Sequence, residues 1–182
     1  MRKYTKAPQI IACLVCVIAV VGFFLPYISM PDEYSSFIEA NQVFGNPDTP
    51  YEFSDLTYED LKDISLFEFS KLAYQGRYEG SSDGTNGILI AGIYSLTGVL
   101  GLLGFLWAAG KRATPLVITS LLMGGAIALV NWAAEYDGLM SNPEMSWGIS
   151  HSLYYPCAAI LFVCGIWLFA AKRKTKKEAR VA

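Results

Sequence analysis

Four stretches of the chain, residues 7–31, 86–110, 113–134 and 145–171, contain no Asp, Glu, Lys or Arg. A helix that crosses a bilayer core needs roughly 20 apolar residues, and each stretch supplies them. They predict spans over 9–29, 87–109, 115–134 and 150–171. The intervening segments then become a cytoplasmic N-terminus (1–8), an extracytoplasmic loop (30–86), a cytoplasmic turn (110–114), a second outer loop (135–149) and a cytoplasmic tail (172–182). The expected fold class is all-α: a four-helix transmembrane bundle with a partly helical extracytoplasmic loop. Pro26 is expected to loosen the end of the first span and Pro31 to stop it. A cleaved signal peptide is the rival reading of this span. Its apolar run is longer than an h-region of about 7–15 residues, and no small-residue cleavage site follows.

Small residues recur inside two spans. Gly98, Gly101 and Gly104 are three apart, and Ser120, Gly124 and Ala128 are four apart on one helix face. In lipid there is little hydrophobic drive between helices, so small residues that let backbones approach closely are a main source of contact. The second and third spans are expected to pack on these six positions. Thr114 is the expected N-cap of the third span, with Pro115 at the first helical position.

Charge sets the expected orientation. Arg2, Lys3 and Lys6 precede the first span, Lys111 and Arg112 form the turn, and Lys172, Arg173, Lys174, Lys176, Lys177 and Arg180 fill the tail, with Glu178 the one acid among these segments. Residues 31–86 carry twelve acids against Lys62, Lys71 and Arg77, and residues 135–149 carry acids alone. The net charge of −2 hides this asymmetry. The positive-inside rule places both termini in the cytoplasm. Trp107 and Trp167 precede the basic clusters, while Trp132 and Trp147 flank the second outer loop. All four therefore fall at headgroup level, as interfacial aromatic belts do.

The first outer loop is too long for a connector and too rich in Phe and Tyr for a disordered spacer. Within it, Ser65 and Glu68 form a capping box, with Ile64 and Phe69 spaced as its hydrophobic staple. A helix over Leu66–Gln75 should follow, stopped by Gly76, and a second short helix is expected near Thr57. The acids suit attraction of cations or basic partners, or simply a soluble exterior.

Few residues carry chemistry. Cys13-x-x-Cys16 has redox and zinc spacing but lies in an uncharged span, where nothing lowers a thiol pKa. Cys16 and Cys164 are expected at similar depth, fitting either a shared thiol or metal site or plain apolar packing. His151, the one histidine, reads as a pH-sensitive group or a polar cap at the outer mouth of the fourth span. Asn131 is expected near water. With no Asp, Glu, Lys or Arg inside a span, a proton or ion relay within this chain alone is disfavoured. The sequence shows no phosphate loop, dinucleotide fingerprint or paired histidines. No catalytic residue, cofactor or metal is assigned, and the expectation is not an enzyme. Nucleic acid is not an expected partner. Lys172, Arg173, Lys174, Lys176 and Lys177 are expected to meet anionic lipid headgroups.

A large first outer loop between spans resembles claudins and tetraspanins in outline only. That loop has neither Trp nor Cys, and the tetraspanin Cys-Cys-Gly motif is missing. Phe24-Leu25-Pro26 at the end of the first span and the Ser-x-Phe-Glu-apolar stretch Ser65–Phe69 resemble small uncharacterised four-span bacterial membrane proteins. The resemblance covers about the first half of the chain. It implies a bacterial plasma membrane and no activity. The leading functional expectation is a non-enzymatic partner-binding or accessory subunit of the bacterial envelope, with the lipid bilayer and a protein partner or a second copy as its contacts. The alternatives are an oligomeric channel or transport subunit with an acidic outer mouth and, more remotely, a membrane thiol or metal enzyme.

Overall fold

A computed structural model describes residues 3–29, 62–75, 85–136 and 145–181. The expected helix near Thr57, most of the acidic loop, and the side chains of Lys176 and Lys177 lie outside the described residues. Those described are mostly helical, in the order α1 (Lys3–Gly22), β1 (Pro26–Ser29), β2 (Asp63–Ser65), α2 (Leu66–Gln75), α3 (Thr85–Ala109), α4 (Ala113–Tyr136), β3 (Ser146–Trp147) and α5 (Ile149–Val181). Three of the helices, α3, α4 and α5, are long and apolar enough to cross a membrane. The apolar part of α1, Lys6–Gly22, is shorter, roughly 25 Å at 1.5 Å per residue.

Two expectations need correction. The described residues are not all-α: β1 pairs antiparallel with β2 and β3 in a small three-stranded sheet. The first helix also does not reach residue 29 but stops at Gly22. Proline has no N–H, so Pro26 cannot donate to the carbonyl four residues back. The Gly22 carbonyl instead accepts from the Leu25 N–H at 3.2 Å and from the Ser150 hydroxyl at 2.6 Å. The chain then leaves the helix as β1.

The chain divides into two compact units. One comprises residues 1–21, 97–127 and 153–182 and is helical throughout its described elements. Its buried positions follow helical spacing: Ala12, Cys16 and Ala19 on α1; Leu116, Met123 and Ile127 on α4; and Cys157, Leu161, Cys164, Leu168 and Ala171 on α5. The exposed positions are large and aliphatic, among them Leu102, Leu106, Leu121, Leu122, Val163 and Ile166. An apolar surface this extensive is costly in water and suits hydrocarbon.

Within this unit α3 ends in a Schellman turn. The Arg112 N–H donates to the Trp107 carbonyl at 2.8 Å and the Lys111 N–H to that of Ala108 at 3.0 Å, with Lys111 at φ 54°. The Gln9 side-chain amide donates to the Ala109 carbonyl at 3.0 Å, satisfying another terminal acceptor. Helix α4 begins one residue before the expected cap. The Leu116 N–H donates to the Arg112 carbonyl at 3.2 Å, which makes Arg112 the N-cap and puts Thr114 and Pro115 in the first turn.

The other unit comprises residues 22–96 and 128–152. It holds the sheet, α2, the start of α3 and the end of α4. Helix α2 packs on α3: Phe69 stacks on Tyr94 at 5.3 Å, and the Ser70 hydroxyl donates to the Ala91 carbonyl at 3.1 Å and meets the Ser95 hydroxyl.

The closest helix approach shown by a glycine is at Gly165, where an added Cβ would lie 2.6 Å from Val117 Cγ2 and 3.2 Å from the Val117 nitrogen. Gly165→Ala should therefore destabilise the protein by about 1–3 kcal/mol through overpacking, read from unfolding in mixed micelles. Adding Val117→Ala should recover part of that loss. A double variant no more stable than Gly165→Ala would put the clash on the backbone instead.

Candidate functional site

The densest polar constellation among the described residues lies in the sheet-bearing unit, around Tyr27, Asn131, Trp147 and His151. The break at Gly22 turns the chain into β1, where Tyr27 and the adjacent Ile28 are both buried. The Tyr27 hydroxyl donates to Asn131 Oδ1. The Asn131 amide nitrogen lies 3.2 Å from His151 Nε2. With Oδ1 accepting, the nitrogen must donate, so Nε2 accepts and the ring is the neutral Nδ1-protonated tautomer. Trp147 stacks on His151, centroids 4.2 Å apart and planes 18° from parallel. The edge-on Tyr27 ring lies 5.7 Å from Trp147 and 5.8 Å from His151.

Backbone contacts hold the arrangement. The Gly148 N–H donates to the Tyr27 carbonyl at 2.8 Å, and a Cβ on Gly148 would collide with the Pro26 carbonyl. Only glycine permits this approach of β3 to β1. Ser146 Oγ donates to the Ser29 carbonyl at 3.2 Å. The cluster thus clasps the end of α1, the last turns of α4 and the start of α5 through β1 and β3. Its groups are a phenol, an amide, an imidazole and an indole. No carboxylate or thiol is among these four side chains.

The capping-box residues come together. The Ser65 N–H and hydroxyl each donate to Glu68 Oε2 at 2.7 Å, and the Glu68 N–H donates to Ser65 Oγ at 3.2 Å. Ile64 is buried. Fixed this way, α2 exposes Phe67 and Tyr74, seven residues apart. The Phe67 ring lies 5.2 Å from that of the exposed Phe24.

The small residues face more partners than the one helix pair expected. An added Cβ on Gly101 would meet Val20 Cγ2 at 2.9 Å, and one on Gly104 would meet Cys16 Sγ at 2.9 Å. These glycines, with buried Gly98, form a face whose Gly101 and Gly104 receive α1. A Cβ on Gly104 would also lie 3.6 Å from Thr119 Cγ2 on α4. One on Gly124 would lie 3.8 Å from the Ala158 Cβ on α5. Ser120 is buried and donates to the Val117 carbonyl of its own helix at 2.7 Å, whereas Ala128 is exposed. The spacing marked faces suited to close approach but carried nothing about which helix fills them.

Comparison with protein-family models, curated proteins and solved structures gives no match.

All four cysteines are free; Cys16, Cys157 and Cys164 are buried, and Cys13 is partly so. Among the described residues, no three His, Cys, Asp or Glu side chains converge as a metal site. Lys172, Arg173 and Lys174 are exposed on α5, which continues helical to Val181. Sequence reasoning placed Asn131 near water and His151 at a mouth, and missed that they meet. The available signal was the sequence Pro-Tyr-Ile-Ser directly after the apolar helix, a β-prone run beginning with a residue that breaks helices.

Asn131→Leu should cost about 1–3 kcal/mol, because it takes a polar partner from a buried phenol. Tyr27→Phe should cost less. The two changes together should be non-additive by at least about 0.5 kcal/mol, measured as a double-mutant cycle. Simple additivity would show that the hydroxyl and the amide do not act as one unit.

Proposed function

We propose that the chain is an integral protein of the bacterial plasma membrane, crossing it four times with both termini in the cytoplasm. In this reading it is a non-enzymatic subunit whose outer part binds a partner in the envelope. The three long apolar helices and the aliphatic exposed surface support the membrane reading. The fourth span is α1 extended by β1. A helix of roughly 25 Å is short for a hydrocarbon core of roughly 30 Å, and non-helical backbone at that depth is tolerated where protein buries it. Tyr27 and Ile28 meet that condition: both are at most 3% exposed, Ile28 pairs with Ile64 of β2 and Trp147 of β3, and the Tyr27 carbonyl accepts from the Gly148 N–H.

The observation that carries partner binding is the face of α2. A short helix in an outer loop is held by a capping box and by contacts to α3, and it presents Phe67, 44% exposed and beside Phe24, and Tyr74, 68% exposed. Rigid aromatic side chains lose little entropy on contact and are enriched at interfaces.

Protease added to intact cells should cut within residues 31–86 and leave the tail uncut. The reverse pattern would invert the proposed topology. A photo-crosslinking residue at position 74 should capture a distinct protein partner, and Phe67→Ala should reduce that capture. Crosslinks only to a second copy of the chain would favour the oligomeric channel reading instead, and ion or solute flux in liposomes would then be measured.

A further inference from the structure

We propose that the recess between the start of α4 and the last turns of α5 binds a phosphate group, its favoured source being the headgroup of an anionic phospholipid. The recess has a volume of about 380 Å³ and is lined by Arg112, Thr114, Pro115, Phe169, Lys172 and Arg173, with Ala113 between Arg112 and Thr114. That volume is within the range of small-ligand sites. Three cations border it, and two are held against aromatic rings: Arg112 lies 5.4 Å from the Trp107 ring centroid and Arg173 lies 4.6 Å from that of Phe169. Stacking of this kind restrains a guanidinium without consuming its N–H donors.

The Schellman turn fixes where Arg112 enters α4, so this cation belongs to the fold rather than to a free tail. The first helical bond of α4 runs from Leu116 to the Arg112 carbonyl. The N–H groups of Ala113 and Thr114 are therefore outside the ladder of α4, and Thr114 adds a hydroxyl. Pro115 and Phe169 give the recess an apolar wall. The chain has no Asp or Glu from residue 86 to 134 or from residue 145 to 177, so neither lining segment carries an acid that neutralises these charges. Guanidinium forks, an ammonium and a hydroxyl around an apolar wall match a phosphate oxygen set joined to a lipid body.

This site differs from a diffuse basic tail in needing Arg112 and Thr114, which lie about sixty residues earlier in the chain than Lys172 and Arg173. That the phosphate would lie in the inner leaflet rests on the topology proposed above. The recess itself does not.

The test uses the purified full chain in nanodiscs containing phosphatidylglycerol and phosphatidylcholine, with retained lipid counted by native mass spectrometry. A parallel arm measures inorganic phosphate binding to delipidated protein by equilibrium dialysis. Phosphatidylglycerol should be retained over phosphatidylcholine. Arg112→Gln with Lys172→Gln should reduce retention by about thirtyfold, whereas Lys176→Gln with Lys177→Gln should change it by less than about twofold. Thr114→Val, which leaves every charge in place, should weaken retention by about threefold. Phosphate binding without lipid retention, lost in the Arg112/Lys172 variant, would support the recess with free phosphate as its source. Equal losses in the two double variants, or no selective binding in either arm, would overturn the proposal.

Discussion

The hydrogen bond that Pro26 cannot donate organises the described part of the chain around Gly22. Without it, α1 stops and the Gly22 carbonyl is open to the Ser150 hydroxyl, which anchors the start of α5 beside the end of α1. The following residues become β1, and β1 provides the edges for β2 and β3. Its inward side chain, Tyr27, then reaches Asn131 and His151. One missing donor thus determines where the small sheet forms and where the polar cluster assembles. The Phe23 carbonyl, released in the same break, accepts from the Phe67 N–H at 3.1 Å, bringing the start of α2 to the same place.

The helical unit mixes small and large side chains inside and keeps an aliphatic surface outside. Alanine, cysteine, glycine and threonine share its interior with Leu116, Met123, Ile127, Leu161 and Leu168, while Leu102, Leu106, Leu121, Leu122, Val163 and Ile166 face outward. Water-soluble proteins bury such aliphatic side chains, because burial of apolar surface drives their folding. When the surroundings are as apolar as leucine, that drive vanishes and close packing decides which side chains turn inward. Tyr154 fits the same logic. It is buried, and its hydroxyl donates to the Ala19 carbonyl at 3.1 Å, so a large side chain is kept inside where its polar end has a partner.

Much of this was legible along the chain, and the parts that were not have physical causes. The end of α3 at Ala109 followed from the Gly-Lys-Arg that comes after it, and α2 from the spacing of Ser65 and Glu68. Both signals are local, carried by residues within one turn of each other. The sheet was missed because strands of four, three and two residues are too short to display an alternating pattern. The partners of the glycine faces were missed because close approach depends on two surfaces, and Gly101 says nothing of Val20. For the same reason the recess could not be foreseen: Lys172 and Arg173 read as tail, Arg112 as turn, and only the fold makes them neighbours.

The left-handed lysine in the α3–α4 turn shows two demands meeting at one residue. At φ 54° a side chain carries a steric penalty of about 1–2 kcal/mol that glycine escapes. Under the proposed topology, however, the turn from Gly110 to Pro115 has Lys111 and Arg112 as its whole positive charge. A glycine would relax the backbone but would leave Arg112 alone to keep that hairpin on the inner side during insertion. The backbone strain is then the cost of a second retention signal placed at the corner itself.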